Sequence, residues 1–292
     1  MAERSFDVTT PDGRTLRVHE AGDADGAPVL AHHGTPGVGT QYGPHAEDAA
    51  RRGIRLLSYD RAGYGGSTPA PGRTVADVAV DTATIADALD LERLGTWGIS
   101  GGGPHALACA ALLPDRIGAA VSIAGPAPLD ARGLDWSAGM GESNLAEFDA
   151  AKQGREALEP LLAAEADGMR RTDAATLAEA LQSLLGAADA AALRGPLGPF
   201  LVDIFHAAVG GGIEGWLEDD LAFAAPWGFD LAAIRVPVAI LHGSDDRFVP
   251  LAHGEWLANA IPGAESRISD DGHLTLLEDG VPSVHAWLLE RV

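Results

Sequence analysis

The chain has 292 residues, of which 46% are hydrophobic, and this suits one large α/β domain or a core with an inserted subdomain. Its formal net charge is −22, and an acidic surface repels the phosphate backbone, so we expect no nucleic-acid partner. Cys109 is the only cysteine, and no secretory signal or membrane-spanning apolar run is visible, so the expectation is a cytoplasmic protein with no membrane partner.

Short apolar runs alternate with helical stretches in the first and last parts of the chain. In chain order, the predicted strands cover residues 14–20, 29–33, 55–59, 94–99, 119–123, 238–242 and 265–268. The first of these alternates loosely and is typical of an edge strand. Helical spacing is found over residues 74–89, 106–113, 254–260 and 281–290. The pattern predicts an α/β fold with a mostly parallel, twisted sheet that carries helices on both faces.

The middle of the chain has a different character. Between residues 126 and 229 the strand pattern disappears, and residues 144–192 are rich in Ala, Leu and Glu, which predicts several helices. We therefore predict a helical cap, or lid, at residues 126–229, inserted in a core formed by residues 1–125 and 230–292. Such an insertion would cover a site at the carboxyl ends of the strands.

Ser100 is the most informative residue of the chain. It lies in the run Gly-Ile-Ser-Gly-Gly-Gly at residues 98–103, after a predicted strand and before a predicted helix. This is the context of a nucleophile elbow, in which a tight turn lifts the serine hydroxyl away from the sheet. The small neighbours are required because larger side chains would clash in the turn.

The turn at residues 33–37, His-Gly-Thr-Pro-Gly, directly follows a predicted strand. It can direct a backbone N–H group into a cleft, where acyl transfer develops negative charge on the carbonyl oxygen. The expected pair of donors consists of the backbone N–H groups of Thr35 and of Gly101, the residue after the nucleophile. An ordinary strand-to-loop turn is the alternative.

Two loops late in the chain supply a carboxylate and a base. Asp245 and Asp246 follow the strand predicted at 238–242, and either could orient a catalytic histidine. His273 follows the strand predicted at 265–268 and could accept the proton of Ser100. The order serine, aspartate, histidine is that of one particular fold.

Several other chemistries are excluded by the sequence. Lys152 is the only lysine, and it stands neither in a phosphate-binding loop nor three residues after Ser100. The histidines show no spacing typical of a metal site. We therefore expect no metal and no cofactor.

Together these motifs resemble those of the α/β-hydrolase superfamily, in its serine-nucleophile branch with a helical cap. The resemblance covers the elbow, the His-Gly-x-Pro loop, residues 60–67 with their D-x-x-G-x-G-x-S pattern, residues 243–250 and the Gly-His pair at 272–273, with Ala62 where many relatives have glycine. It implies the α/β-hydrolase fold and selects Asp246 over Asp245. It also implies Ser100 as nucleophile, His273 as general base and acid, and Thr35 and Gly101 as the oxyanion hole.

The implied function is that of a serine hydrolase acting on a small-molecule substrate. A small to medium, largely apolar carboxylic ester is the leading expectation, cleaved through an acyl-enzyme. The first alternative is an aminopeptidase similar to the proline iminopeptidases, which hold the amine of the substrate with acidic cap residues. The candidates for that role are Glu142, Glu214, Glu218, Asp219 and Asp220. The second alternative is a non-catalytic small-molecule-binding protein of the same fold.

Overall fold

The computed structural model describes residues 3–292. An eight-stranded sheet runs through the molecule in the order β1-β2-β4-β3-β5-β6-β7-β8. Its strands are β1 Arg4–Thr9, β2 Thr15–Gly22, β3 Ala27–His32, β4 Ile54–Tyr59, β5 Leu94–Ile99, β6 Ile117–Ile123, β7 Val238–Gly243 and β8 Glu265–Ser269. Only β2 runs against its neighbours, and β3 to β8 pair in parallel, which confirms the predicted α/β-hydrolase fold.

The prediction of an edge strand at residues 14–20 is wrong. β2 pairs with both β1 and β4, and β1 occupies the edge of the sheet. β1 could not be predicted from the sequence because it has no apolar run, since Val8 is its only buried side chain. The edge of the sheet is therefore a largely exposed strand with little hydrophobic signal.

Helices cover both faces of the sheet, as the predicted layering requires. The core helices are α1 Gly43–Arg52, α2 Val78–Ala88, α3 Gly102–Leu112, α10 Leu251–Ala260, α11 His273–Thr275 and α12 Val281–Leu289. α3 begins four residues before the predicted start at residue 106, because Gly102, Gly103 and Pro104 form its first turn, where proline is tolerated.

Successive residues of one strand belong to different hydrophobic clusters. In β3, Leu30 belongs to the cluster that includes residues of α2, α3 and α10, whereas Val29 belongs to the cluster that includes residues of α1 and α12. This is the two-residue period of a strand buried on both faces. It explains why the central strands are apolar at nearly every position, and it holds their carboxyl ends in a fixed frame.

Six helices lie between β6 and β7, on the segment predicted to form a cap. They are α4 Glu142–Gln153, α5 Arg155–Met169, α6 Leu177–Ala180, α7 Ala187–Ala192, α8 Leu197–Gly210 and α9 Glu214–Ala224. We call residues 126–229 the cap segment; its limits as a separate domain stay a prediction. Across residues 3–292, no helix combines the length and apolar character needed to span a membrane.

Candidate active site

Ser100 occupies a strained turn between β5 and α3. Its φ angle is +54°, in the left-handed region that side-chain-bearing residues rarely adopt. A Cβ atom on Gly98 would collide with the carbonyl group of Gly102, and one on Gly102 would collide with that of His32. Glycine is therefore required on both sides of the turn, as the elbow motif predicts.

Asp246 and His273 meet at the carboxyl ends of β7 and β8. The His273 Nδ1–H donates a hydrogen bond to Asp246 Oδ2 at 2.8 Å. The other oxygen, Oδ1, accepts the backbone N–H groups of Phe248 at 2.9 Å and Val249 at 2.8 Å. Because Nδ1 carries the proton in this arrangement, Nε2 is the nitrogen that can accept one.

Asp245, the competing carboxylate, points elsewhere. Its side chain is 46% exposed and lies 3.8 Å from Arg247, whereas the side chain of Asp246 has no exposed surface. The structure thus brings Asp246, and not Asp245, to His273.

Two carboxylates act on the pKa of His273. Burial of the imidazole lowers this pKa, but the charge and hydrogen bond of Asp246, with the charge of Asp189, more than offset the effect and raise it above its ordinary value. The Phe248 ring stacks on the imidazole with centroids 4.6 Å apart. Asp246 therefore contacts one edge of the imidazole ring, and Phe248 contacts one face.

Thr35 and Gly101, the predicted oxyanion pair, are also brought together. A Cβ atom on Gly101 would collide with Thr35 Oγ1, so the two residues are in close contact. Gly101 is the N-cap residue of α3, where backbone N–H groups lack partners within the helix and the helix dipole favours negative charge. Both residues line a cavity that Ser100 also lines.

Arg61 holds the loop that contains Thr35. Its guanidinium donates to the carbonyl oxygens of His33 and Gly34 and to Thr35 Oγ1, the last at 2.9 Å. His33 itself donates from Nδ1 to Gly34 O at 2.7 Å. These contacts turn the loop carbonyl groups toward the arginine and fix the loop backbone.

Asp219, in α9 of the cap segment, completes this network. Its fully buried carboxylate accepts from Thr35 Oγ1 at 2.6 Å, Tyr64 Oη at 2.9 Å, and Arg61 and Arg73 at 2.6 Å each. Burial raises the pKa of this carboxyl, but the two arginines hold it well below its usual range. Asp219 is therefore an ionised anchor between the cap segment and the loop of Thr35.

Two cavities of similar volume meet at Ser100. The first, of about 140 Å³, is lined by Ser100 and His273. Its remaining wall is largely apolar and includes Tyr42, Trp97, Phe200, Ile204, Phe205 and Leu277. We call it the apolar cavity.

The second cavity, of about 120 Å³, is lined by Ser100 and Gly101 and by three carboxyl groups, Glu147, Glu165 and Asp220. Asp220 is 1% exposed, and its Oδ2 has no hydrogen-bond partner within residues 3–292. Burial raises the pKa of Glu147 and Asp220, and the charge of Glu147 raises the pKa of Asp220 further. Partial burial also raises the pKa of Glu165, which is the exposed member of the three. We call this the acidic cavity.

The span from the start of β3 to beyond the loop of His273 matches a known protein family. The family model of the alpha/beta hydrolase fold matches residues 27–280. This chain belongs to that family.

The chain is similar to other members of the family. The chain is 30% identical over 268 residues to a non-heme chloroperoxidase of Streptomyces lividans, which covers 87% of this chain and 88% of the relative. It is 30% identical over 250 residues to a pimeloyl-(acyl-carrier protein) methyl ester esterase of Aromatoleum aromaticum, with 82% and 88% covered. The crystal structure of an enol-lactonase from Burkholderia xenovorans LB400 superimposes with a TM-score of 0.71 at 20% identity, covering 98% of this chain and all of that one (100%), which shows the shared fold.

Of the acidic cap residues proposed to hold an amine, only Asp220 lines a cavity with Ser100. Glu142 and Glu214 are exposed, and Glu218 pairs with Arg155 and accepts the backbone N–H of Gly72 at 2.7 Å. Asp219 forms ion pairs with Arg61 and Arg73.

Sequence reasoning missed Glu147 and Glu165 of this α/β-hydrolase. They stand in α4 and α5 among many exposed acidic residues, and no motif distinguishes them. Across the described part of the chain, no three His, Cys, Asp or Glu side chains are grouped as a metal site.

Proposed function

We propose that this α/β-hydrolase is a serine hydrolase that cleaves a carboxylic ester through an acyl-enzyme. The observation that carries the proposal is the 2.8 Å hydrogen bond from His273 to Asp246, because that histidine lines the same cavity as Ser100. A buried aspartate that orients a neutral imidazole beside a serine is the arrangement that activates the hydroxyl.

In the first half of the reaction, Ser100 Oγ attacks the ester carbonyl carbon while its proton passes to His273 Nε2. The negative charge that develops on the carbonyl oxygen is stabilised by the backbone N–H groups of Thr35 and Gly101. The C–O bond to the alcohol then breaks, and the alcohol leaves with the proton of His273. The acyl group stays on Ser100.

In the second half, His273 removes a proton from water, and the resulting nucleophile attacks the acyl-enzyme. The carboxylic acid leaves and Ser100 regains its proton. The wall of the apolar cavity favours a small to medium, largely apolar group on the ester. Asp246 stabilises the imidazolium formed in each half.

A fluorophosphonate probe and a series of p-nitrophenyl esters of increasing acyl length test this proposal. We expect covalent labelling of Ser100, ester turnover at mildly alkaline pH, and loss of both in Ser100→Ala with an unchanged fold by circular dichroism. Ser283→Ala, which removes an exposed serine hydroxyl outside both cavities, is the matched control. A folded wild-type protein that binds apolar esters without labelling or turnover is instead a small-molecule-binding protein, and the proposal is then wrong.

The acidic cavity favours a second candidate function, that of an aminopeptidase. Asp220, Glu147 and Glu165 face a space that also reaches Ser100, and a substrate ammonium group there would offset the cost of burying the charges of Asp220 and Glu147. Amino-acid p-nitroanilides with a free amine, compared with their N-acetylated forms, separate the two candidates.

For an aminopeptidase, kcat/KM falls on acetylation, and Asp220→Asn abolishes the difference while Glu142→Gln, on the exposed side of α4, preserves it. For an esterase of neutral substrates, p-nitrophenyl esters are turned over, and both amine series are poor substrates.

A further inference from the structure

Asp189 belongs to the cap segment, but its hydrogen bonds reach the core. It lies in α7, and the residue has no exposed surface. Its Oδ2 accepts the backbone N–H of His273 at 2.9 Å, and its Oδ1 accepts those of Leu274 and Thr275 at 3.0 Å each. The Thr275 hydroxyl adds a further hydrogen bond to Oδ1 at 3.2 Å.

The N–H groups that Asp189 accepts belong to the whole of α11, the three-residue helix that begins with His273. The first N–H groups of any helix lack partners within it, and a side chain at the N-cap position usually supplies an acceptor. Here the N-cap residue is Gly272, which has no side chain. Asp189 therefore supplies from another part of the chain the acceptor that the local sequence lacks.

Gly272 also makes room for this contact. A Cβ atom at that position would collide with the carboxylate of Asp189. The glycine before the catalytic histidine thus permits the approach of a carboxylate to three successive N–H groups. If these three buried N–H groups had no acceptor, the folded state would be destabilised. The hydrogen bonds to Asp189 therefore fix the backbone conformation at His273.

We propose that Asp189 is a positioning residue for the base, which holds the backbone of His273 while Asp246 holds its ring. This inference rests on the proposed function, in which His273 is the base. The two carboxylates approach from different elements, Asp246 from the loop after β7 and Asp189 from α7, so that His273 is held both at its backbone and at its ring. A shift of the backbone would move Nε2 relative to Ser100 and slow proton transfer.

The charge of Asp189 supplies a second readout, because it favours the imidazolium form of His273. The charged groups that act on His273 are Asp246 and Asp189. His242 lies 3.7 Å from Asp246 Oδ2, but burial lowers its pKa, so it is neutral while His273 titrates. Removal of the negative charge at position 189 must therefore lower the pKa of His273.

The test compares Asp189→Ala and Asp189→Asn with Asp173→Asn. Asp173 caps its own exposed turn by accepting the N–H groups of Ala175 and Thr176, so its variant makes the same chemical change away from both cavities. In Asp189→Ala we expect kcat to fall by about 10- to 100-fold with little change in KM. In Asp189→Asn, which keeps one acceptor oxygen, we expect a smaller fall and an acidic limb of the kcat/KM profile moved to lower pH.

The outcomes separate this inference from the proposed function. A wild-type protein without turnover or Ser100 labelling contradicts the proposed function and removes the base that Asp189 would position. An active wild type, with both Asp189 variants equal to Asp173→Asn in kcat and in the midpoint of the acidic limb, overturns the inference alone. If Asp189→Ala does not fold, the pH profile of Asp189→Asn decides.

Discussion

The core and the cap segment use buried aspartates in different ways. Asp246, in the core, shares its carboxylate between two backbone N–H groups and the His273 ring, and thus directly touches the side chain proposed as the base. Asp189 and Asp219, in the cap segment, bind backbone and supporting groups of the core. The difference indicates that the cap segment fixes the core backbone that carries the proposed catalytic residues.

The energetics of Asp219 also indicate that the cap segment positions parts of the core. A buried ion pair seldom stabilises a protein more than apolar residues of the same volume, because desolvation offsets the Coulomb attraction. The carboxylate nevertheless lies between Arg61 and Arg73 and also accepts from Thr35. Its arrangement is therefore better explained by the geometry it imposes on the loop of Thr35 than by stability.

The largest expected effect belongs to the core. Asp246→Asn removes the acceptor that keeps the proton on Nδ1 of His273, and we expect kcat to fall by about 10⁴-fold for esters. Asp245→Asn is the matched control, because Asp245 is its neighbour and lies exposed beside Arg247. Steady-state kinetics on one p-nitrophenyl ester measures both. Equal losses in the two variants, or a larger loss in Asp245→Asn, would contradict the difference in their roles.

A smaller effect on rate is expected from the cap segment. Asp219→Asn leaves Arg61 and Arg73 buried without a full counter-charge, and we expect about 3–5 kcal/mol lower unfolding free energy. Because the loop of Thr35 is then less well fixed, kcat should fall by about 100-fold with little change in KM. Urea denaturation and ester kinetics measure the two effects.

Asp203→Asn, at an exposed position of α8, is the control for a lost negative charge on the cap segment. If Asp219→Asn loses stability but keeps the kcat of this control, the contact of Asp219 with the loop of Thr35 is structural only. The cap segment then does not position this loop for the reaction.

The strands that carry the site could be predicted because each is an apolar run followed by a turn. The bounds of β5 match the prediction, whereas β1 has no such run and was missed. The choice of Asp246 came from the resemblance to a family, since either aspartate qualified by residue type. Sequence motifs therefore locate those site residues that lie close in the chain to the end of a strand.

The supporting residues of the cap segment could not be predicted in the same way. The cap segment carries many acidic residues: Glu147 stands in α4 with the exposed Glu142 and Asp149, whereas Asp189 is the single acidic residue of the alanine-rich α7. Which of them turns inward depends on how the helices pack on each other and on the core. A carboxylate that caps a helix more than 80 residues away in sequence, as Asp189 does for α11, has no local signal.

The smallest effect concerns a brace that lies entirely in the core. His19 donates to Asp60 Oδ1 at 3.0 Å, and Asp60 in turn accepts the backbone N–H groups of Gly39 and Gly66. Burial lowers the pKa of His19, but Asp60 and Glu3 outweigh it and raise the value from 6.5 to about 9. Because the folded-state pKa is the higher one, this stabilisation is complete below about pH 6.5 and is lost as the pH rises through about 9.

We therefore expect the unfolding free energy to decline between these two pH values, and His19→Gln to remove part of that slope without changing kcat. Urea denaturation across the range measures it. His273, whose pKa is also raised, contributes to the slope in both proteins, so the difference between them isolates His19. The arginines that face Asp219 stay charged throughout this range, so the anchor between cap and core should keep its strength while the core brace weakens. Equal slopes in the two proteins would mean that the pair of His19 and Asp60 adds no pH-dependent stability, and that the core and the cap segment do not differ in this respect.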